Sequence, residues 1–106
     1  MNDLEKHPSL NYIHPGILLK EDLAEVGLTA YRVSKETGIS QVNLSKILQG
    51  KRAITPDTGL RLAKFLGMSE NYFINMQIRY DTQRAKVENQ AVYDEIETYS
   101  FFSHSH

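Results

Sequence analysis

Helix stop and start signals alternate through residues 14–70 with almost no space between them. His14-Pro15-Gly16 opens an apolar-periodic run, with Pro15 at a first helical position, where its missing N–H is not needed. Leu19, Leu23 and Val26 then share a face at i, i+4, i+7, and Gly27 is a stop. Thr29 can cap a second helix to about Thr37, ended by Gly38; Ser40 can cap a third, closed by Gly50. Thr55-Pro56 starts a fourth, which runs to Leu66 before Gly67. Ser69 is expected to cap a fifth, with Glu70 in its first turn facing the positive end of the helix dipole. Tyr72, Phe73, Met76 and Tyr80 lie on one side of that helix, which is expected to end near Gln90. No strand alternation precedes residue 91, and 106 residues allow one modest core. The spacing therefore predicts an all-α, five-helix domain over residues 14–90. A loose, flexible N-terminal segment of residues 1–13 precedes it. A C-terminal tail of residues 91–106 follows, disordered or ordered on a partner.

Residues 29–52 hold the most specific pattern. Two short helices meet at the tight turn Thr37-Gly38-Ile39-Ser40. Ser34 supplies a small residue where the second helix crosses, Gly38 tolerates positive φ, and Ile39 plugs the core. Val33, Leu44 and Ile47 lock the pair against the rest of the domain. These are the requirements of a helix-turn-helix, met together in one window. With Leu44, Ile47 and Leu48 inward, the third helix must show Gln41, Val42, Asn43 and Lys46, with Gln49 at its end. Gln and Asn can pair bidentately with adenine, Lys can donate to guanine, and Val can meet a thymine methyl. Ser40 and the first amides of that helix suit a phosphate. Lys51, Arg52 and Lys35 (or Arg32) would reach the DNA backbone, beside Gln49.

The net charge of −1 hides an uneven distribution. Residues 29–64 hold seven basic and two acidic side chains, whereas residues 1–28 and 65–106 are each net acidic. A basic centre between acidic flanks is an electrostatic footprint for nucleic acid confined to one part of the chain. The chain has no Cys, which excludes disulfides and thiolate metal sites. His104 and His106 have no other clustered ligands, so neither a metal nor a cofactor is expected. Ser34 and Ser45 have no base placed beside them, so no enzyme is expected. No apolar run approaches the roughly 18–20 residues of a membrane span, and residues 1–8 lack a signal-peptide core, so a cytoplasmic setting is expected.

Several motifs occur in a family's order: His14-Pro15-Gly16, the helix-turn-helix, Gly50-Lys51-Arg52-Ala53-Ile54-Thr55-Pro56-Asp57-Thr58, and Leu60-Arg61-Leu62-Ala63-Lys64. Ser69-Glu70-Asn71-Tyr72-Phe73-Ile74-Asn75-Met76-Gln77 and Tyr80-Asp81 follow. Over roughly residues 14–86 the chain resembles the HigA-type antitoxins, within the Cro/C1-type (lambda repressor-like) helix-turn-helix group. The resemblance implies a type II toxin–antitoxin partner, a HigB-like ribosome-dependent mRNA endonuclease. It also implies repression of the chain's own operon as a homodimer. Carried over by position, base reading falls to Gln41, Val42, Asn43 and Lys46, and phosphate contact to Ser40, Lys51 and Arg52.

A single helix-turn-helix reads too few bases for useful choice, so a homodimer on two half-sites is expected. The fifth helix, through Tyr72, Phe73, Ile74 and Ile78, is the candidate dimer surface. Two other readings stay open: a stand-alone, phage-like repressor without a toxin, and a protein-interaction module that no longer binds DNA.

Overall fold

The computed structural model describes residues 13–100. Expectations for residues 1–12 and for Phe101, Phe102, His104 and His106 lie outside the described residues. Five helices follow in order: α1 (Pro15–Val26), α2 (Ala30–Thr37), α3 (Gln41–Leu48), α4 (Pro56–Leu66) and α5 (Tyr72–Asp94). None of the described helices is long and apolar enough to cross a membrane.

The first four helices start and stop where cap chemistry dictates. Thr29, Ser40 and Thr55 each accept, through the side-chain oxygen, the backbone N–H three residues on, satisfying one orphan donor of each helix. His14 does the same for α1, its Nδ1 accepting the Gly16 N–H at 2.9 Å. Helix α3 ends in a Schellman arrangement, with Lys51 N–H on the Lys46 carbonyl at 2.8 Å and Gly50 N–H on the Ile47 carbonyl at 2.9 Å. Between α2 and α3, Gly38 sits at φ 79°, a conformation that would strain a residue with a Cβ.

Three details depart from the sequence expectation. Helix α5 starts at Tyr72, not at a Ser69 cap: the Ser69 carbonyl, not its hydroxyl, accepts the Tyr72 N–H at 3.0 Å, and Asn71 makes no side-chain cap bond. Residues 69–72 close a turn before the helix begins, so Glu70 is outside the first helical turn. The same helix runs to Asp94, past the expected end at Gln90, so the expected boundary between residues 90 and 91 falls inside it. No Gly or Pro interrupts residues 86–94, and Gln90 Nε2 donates to Asp94 Oδ1 at 2.9 Å across one turn. Finally, Val26 is exposed rather than on the buried face. Leu28 takes its place, folding back with its N–H on the Leu23 carbonyl and packing against the core.

The core joins all five helices and the loop after α3: Leu19 and Leu23, Val33, Ile39, Leu44, Ile47, Ile54, Leu62 and Ala63, and Phe73. Helix α1 crosses α3 so closely that a Cβ on Gly16 would lie 1.8 Å from the Ile47 carbonyl oxygen. The residue after Pro15 must therefore lack a side chain for α1 to reach α3 at all. Gly16→Ala is expected to push the two helices apart, lowering stability by about 1–3 kcal/mol or more. Thermal unfolding checks this; each kcal/mol should lower Tm by roughly 4–8 °C.

Candidate nucleic-acid interface

The α2–α3 turn is tied by side chains as well as by Gly38. Ser34 Oγ donates to the Ile39 carbonyl. Thr37 Oγ1 donates to the Val33 carbonyl at 2.6 Å and accepts the Ile39 N–H at 3.2 Å. Ser34 is thus more than a small residue at a crossing; its hydroxyl fixes the turn that aims α3. From α4, Arg61 Nη1 donates to the Thr37 carbonyl at 2.9 Å while its Nε donates to Asp57 Oδ2 at 3.0 Å. That bond satisfies an orphan carbonyl at the end of α2.

Leu44 and Ile47 are fully buried and Leu48 nearly so, which turns the opposite side of α3 to solvent. Gln41, Val42, Ser45, Lys46, Gln49 and Lys51 line one shallow depression of about 330 Å³ there. Val42 is 65 % exposed, an apolar side chain held out in water. Five of the residues named from sequence therefore come together. Ser45 was not among them, although Gln41, Ser45 and Gln49 form one i, i+4 row, and Gln49 Nε2 donates to Ser45 Oγ at 2.8 Å.

The remaining candidates do not line that depression. Ser40 stands exposed at the start of α3, its oxygen accepting the Asn43 N–H at 3.1 Å and its O–H left for another acceptor. Asn43 is half-buried and takes a hydrogen bond from Arg52 Nη1 at 3.0 Å. Lys35 and Arg32 are exposed on α2, with Lys35 in the last turn, where it also offsets the negative end of that helix.

The segment after α3, which carries Lys51 and Arg52, is pinned from α5 and α1. Gln77, 7 % exposed, accepts the Ile54 N–H at 2.9 Å and donates to Asp81 Oδ1 at 3.0 Å. His14, also 7 % exposed, meets Tyr80 edge to face at 5.2 Å. Burial lowers its pKa from the usual 6.5; Asp81 and a hydrogen bond to the Arg52 backbone raise it, and Arg84 lowers it. Since Nδ1 accepts from Gly16, the neutral ring carries its proton on Nε2. Spacing could mark His14 as a cap, but not Gln77, whose partner Ile54 is distant in sequence.

Of the four residues expected on a dimer surface, Phe73 is 3 % exposed and belongs to the chain's own core. Ile74 is half-buried, packed toward Gly59 of α4. Both face inward because Phe73 and Gln77 define the buried stripe of α5, and Ile74 flanks it. Tyr72 and Ile78 are left exposed, at 38 % and 57 %.

Comparison with known proteins agrees with this architecture. The Helix-turn-helix family model matches residues 19–73. Virulence-associated protein I of Dichelobacter nodosus is 36 % identical over 76 % of this chain and 75 % of its own. An addiction module antidote protein of a HigA family from Coxiella burnetii superposes with a TM-score of 0.77 at 36 % identity, covering 83 % of this chain and 98 % of that one. The Pseudomonas aeruginosa antitoxin HigA with higBA promoter superposes at a TM-score of 0.73 and 28 % identity, covering 81 % and 96 %.

Folding lowers the His14 pKa, so below 6.5 the unfolded chain binds more protons than the folded one. The stability that neutral His14 contributes is full above pH 6.5 and is lost as pH falls from there through the folded value. His14→Asn keeps an acceptor for the Gly16 N–H but does not titrate. Urea midpoints measured across this range should fall less steeply with acidity in that variant than in the parent. The fold, the capped α3 with its buried inner face, and these relatives together place the chain in the Cro/C1-type helix-turn-helix family, among the HigA-type antitoxins.

Proposed function

We propose that the protein is an antitoxin that neutralises a HigB-like mRNA endonuclease by direct binding. In the same reading it represses its own operon by binding operator DNA as a homodimer. The observation that carries the DNA half is the exposed face of α3: Gln41, Val42, Lys46 and Gln49 share one depression with Lys51, opposite the fully buried Leu44 and Ile47. Hydrogen-bonding and methyl-contacting groups held on a rigid helix suit base edges in a major groove. Ser40, Lys35, Lys51 and Arg52 are exposed on α2, at the start of α3 and just after it, and suit the sugar-phosphate backbone, which gives affinity and orientation rather than sequence choice. A relative of the same fold, the Pseudomonas aeruginosa antitoxin HigA, has been solved with its higBA promoter. That relative supports both halves of the reading. For the homodimer, Tyr72 and Ile78 are the residues of the expected surface that α5 still offers to a second copy.

Binding to the gene's own promoter, measured at two salt concentrations, tests the DNA half. A dimer making on the order of 6–10 phosphate contacts should lose roughly 10³–10⁵ in affinity between 50 and 200 mM salt. No promoter binding at low salt would sink the repressor reading. Within that assay, Lys46→Ala should change which bases are preferred, whereas Lys51→Ala should weaken all sequences alike. Equal weakening of every sequence by Lys46→Ala would remove Lys46 from the reading face. Co-purification with the product of the adjacent gene tests the toxin half; retained operator binding with no such partner leaves a stand-alone repressor.

A further inference from the structure

We propose that Arg52 decides which hydrogen-bonding groups Asn43 offers to DNA, so that Asn43 reads the acceptor edge of guanine and not adenine. The inference rests on the DNA-binding reading above and refines it. Asn43 lies in the first turn of α3, its backbone held by the Ser40 cap at 3.1 Å. Its side-chain Oδ1 receives Arg52 Nη1 at 3.0 Å. A guanidinium has donors only, so the atom facing it must be the amide oxygen. The amide nitrogen is then turned away from Arg52, with both of its hydrogens left to donate.

Reading adenine would need that amide to act in both senses at once, its oxygen accepting from N6 and its nitrogen donating to N7. Here one lone pair of the oxygen is engaged by a cation, a bond stronger than one between neutral groups, and a second donor would have to approach beside that charge. The nearby positive charge also disfavours an incoming amino hydrogen. Guanine presents O6 and N7, both acceptors, which suit the free amide nitrogen.

Arg52 is not a loose side chain that happens to reach Asn43. Its segment leaves α3 through the Lys51 N–H bond to the Lys46 carbonyl, at 2.8 Å. Two residues after Arg52, Ile54 N–H is held by Gln77 at 2.9 Å. The arginine is therefore anchored on both sides before DNA arrives. Arg52 acts on Asn43 as a positioning residue, a role added to the backbone contact proposed for it above.

The test is selection from a library of randomised DNA duplexes by the full chain and by Asn43→Ala, Arg52→Ala and Arg52→Lys. Asn43→Ala should flatten the preference at one base pair of each half-site, where the parent selects guanine. Arg52→Ala should change the preference at that same base pair, guanine losing about fivefold against adenine as the amide is released. Arg52→Lys, which keeps a charged donor, should retain guanine. Adenine at that position in the parent overturns the inference and leaves DNA binding standing. So does an Arg52→Ala variant that is weaker on every sequence with its base profile intact. Failure of the parent to select any sequence overturns the DNA-binding reading itself, and the inference with it.

Discussion

At the crossing of α1 over the end of α3, the backbone of Gly16 sits where a single Cβ would strike the Ile47 carbonyl oxygen. Helix α3 is held from behind by this contact, and much else depends on it. The same Ile47 carbonyl accepts the Gly50 N–H that closes α3, while the Ile47 side chain fills the core beside Leu19 and Leu44. His14 caps α1 at this point, and its ring lines one depression together with Arg52. Arg52 in turn reaches Asn43 on α3. One close backbone approach thus fixes the inward side of α3, the exit from α3, and through that exit one side chain of its outward side. A helix fixed in this way meets a ligand without first being ordered, so little conformational freedom remains to be lost on binding.

The division of charge follows from the same frame. Residues 29–64 are strongly basic in sequence, yet not every cation there is available to DNA. Arg61 is bound to Asp57 and to the Thr37 carbonyl at the end of α2, a structural task that secures the turn. Arg52 is bound to Asn43. Lys46 and Lys51 line the depression on α3 with no such tie. The overall count therefore locates the basic surface but does not rank its members; partners within the fold do that.

What could be read from the sequence was local. Thr29, Ser40 and Thr55 declare themselves as caps because a cap needs a particular side chain at a particular offset from glycine or proline punctuation. The outward set Gln41, Val42 and Lys46 followed from the apolar spacing of Leu44, Ile47 and Leu48. What was not legible depends on which helices become neighbours. Gln77 and Ile54, or Arg61 and Thr37, meet only after α4 and α5 have packed, and nothing in either segment announces the other. Gly16 looked like punctuation after Pro15, whereas its need arises from α3 across the crossing. Ser69 had the right residue type for a cap and failed as one because the chain turns through 69–72 before the helix begins. Phe73 suits either the core or a dimer contact by residue type; only its burial in the packed core separates it from exposed Tyr72 and Ile78.

Helix α5 exceeds what the core requires. Its 23 residues span about 34 Å at 1.5 Å per residue, and the described chain is correspondingly elongated, 52 × 29 × 24 Å. Buried positions end at Gln77, and the residues from Lys86 onward are exposed. Pairs one turn apart, such as Arg84 with Glu88 and Gln90 with Asp94, each contribute only a few tenths of a kcal/mol to such a helix. Propensity alone leaves an unpacked helical stretch of this length marginal in water. Val87 and Val92 nevertheless remain exposed along it, at 66 % and 58 %. A second chain packed against α5 would cover apolar surface that the first chain's core leaves bare, and would stabilise turns that the monomer supports only weakly. The homodimer reading draws its physical support from this part of the helix together with Ile78 and Tyr72, and not from the buried Phe73.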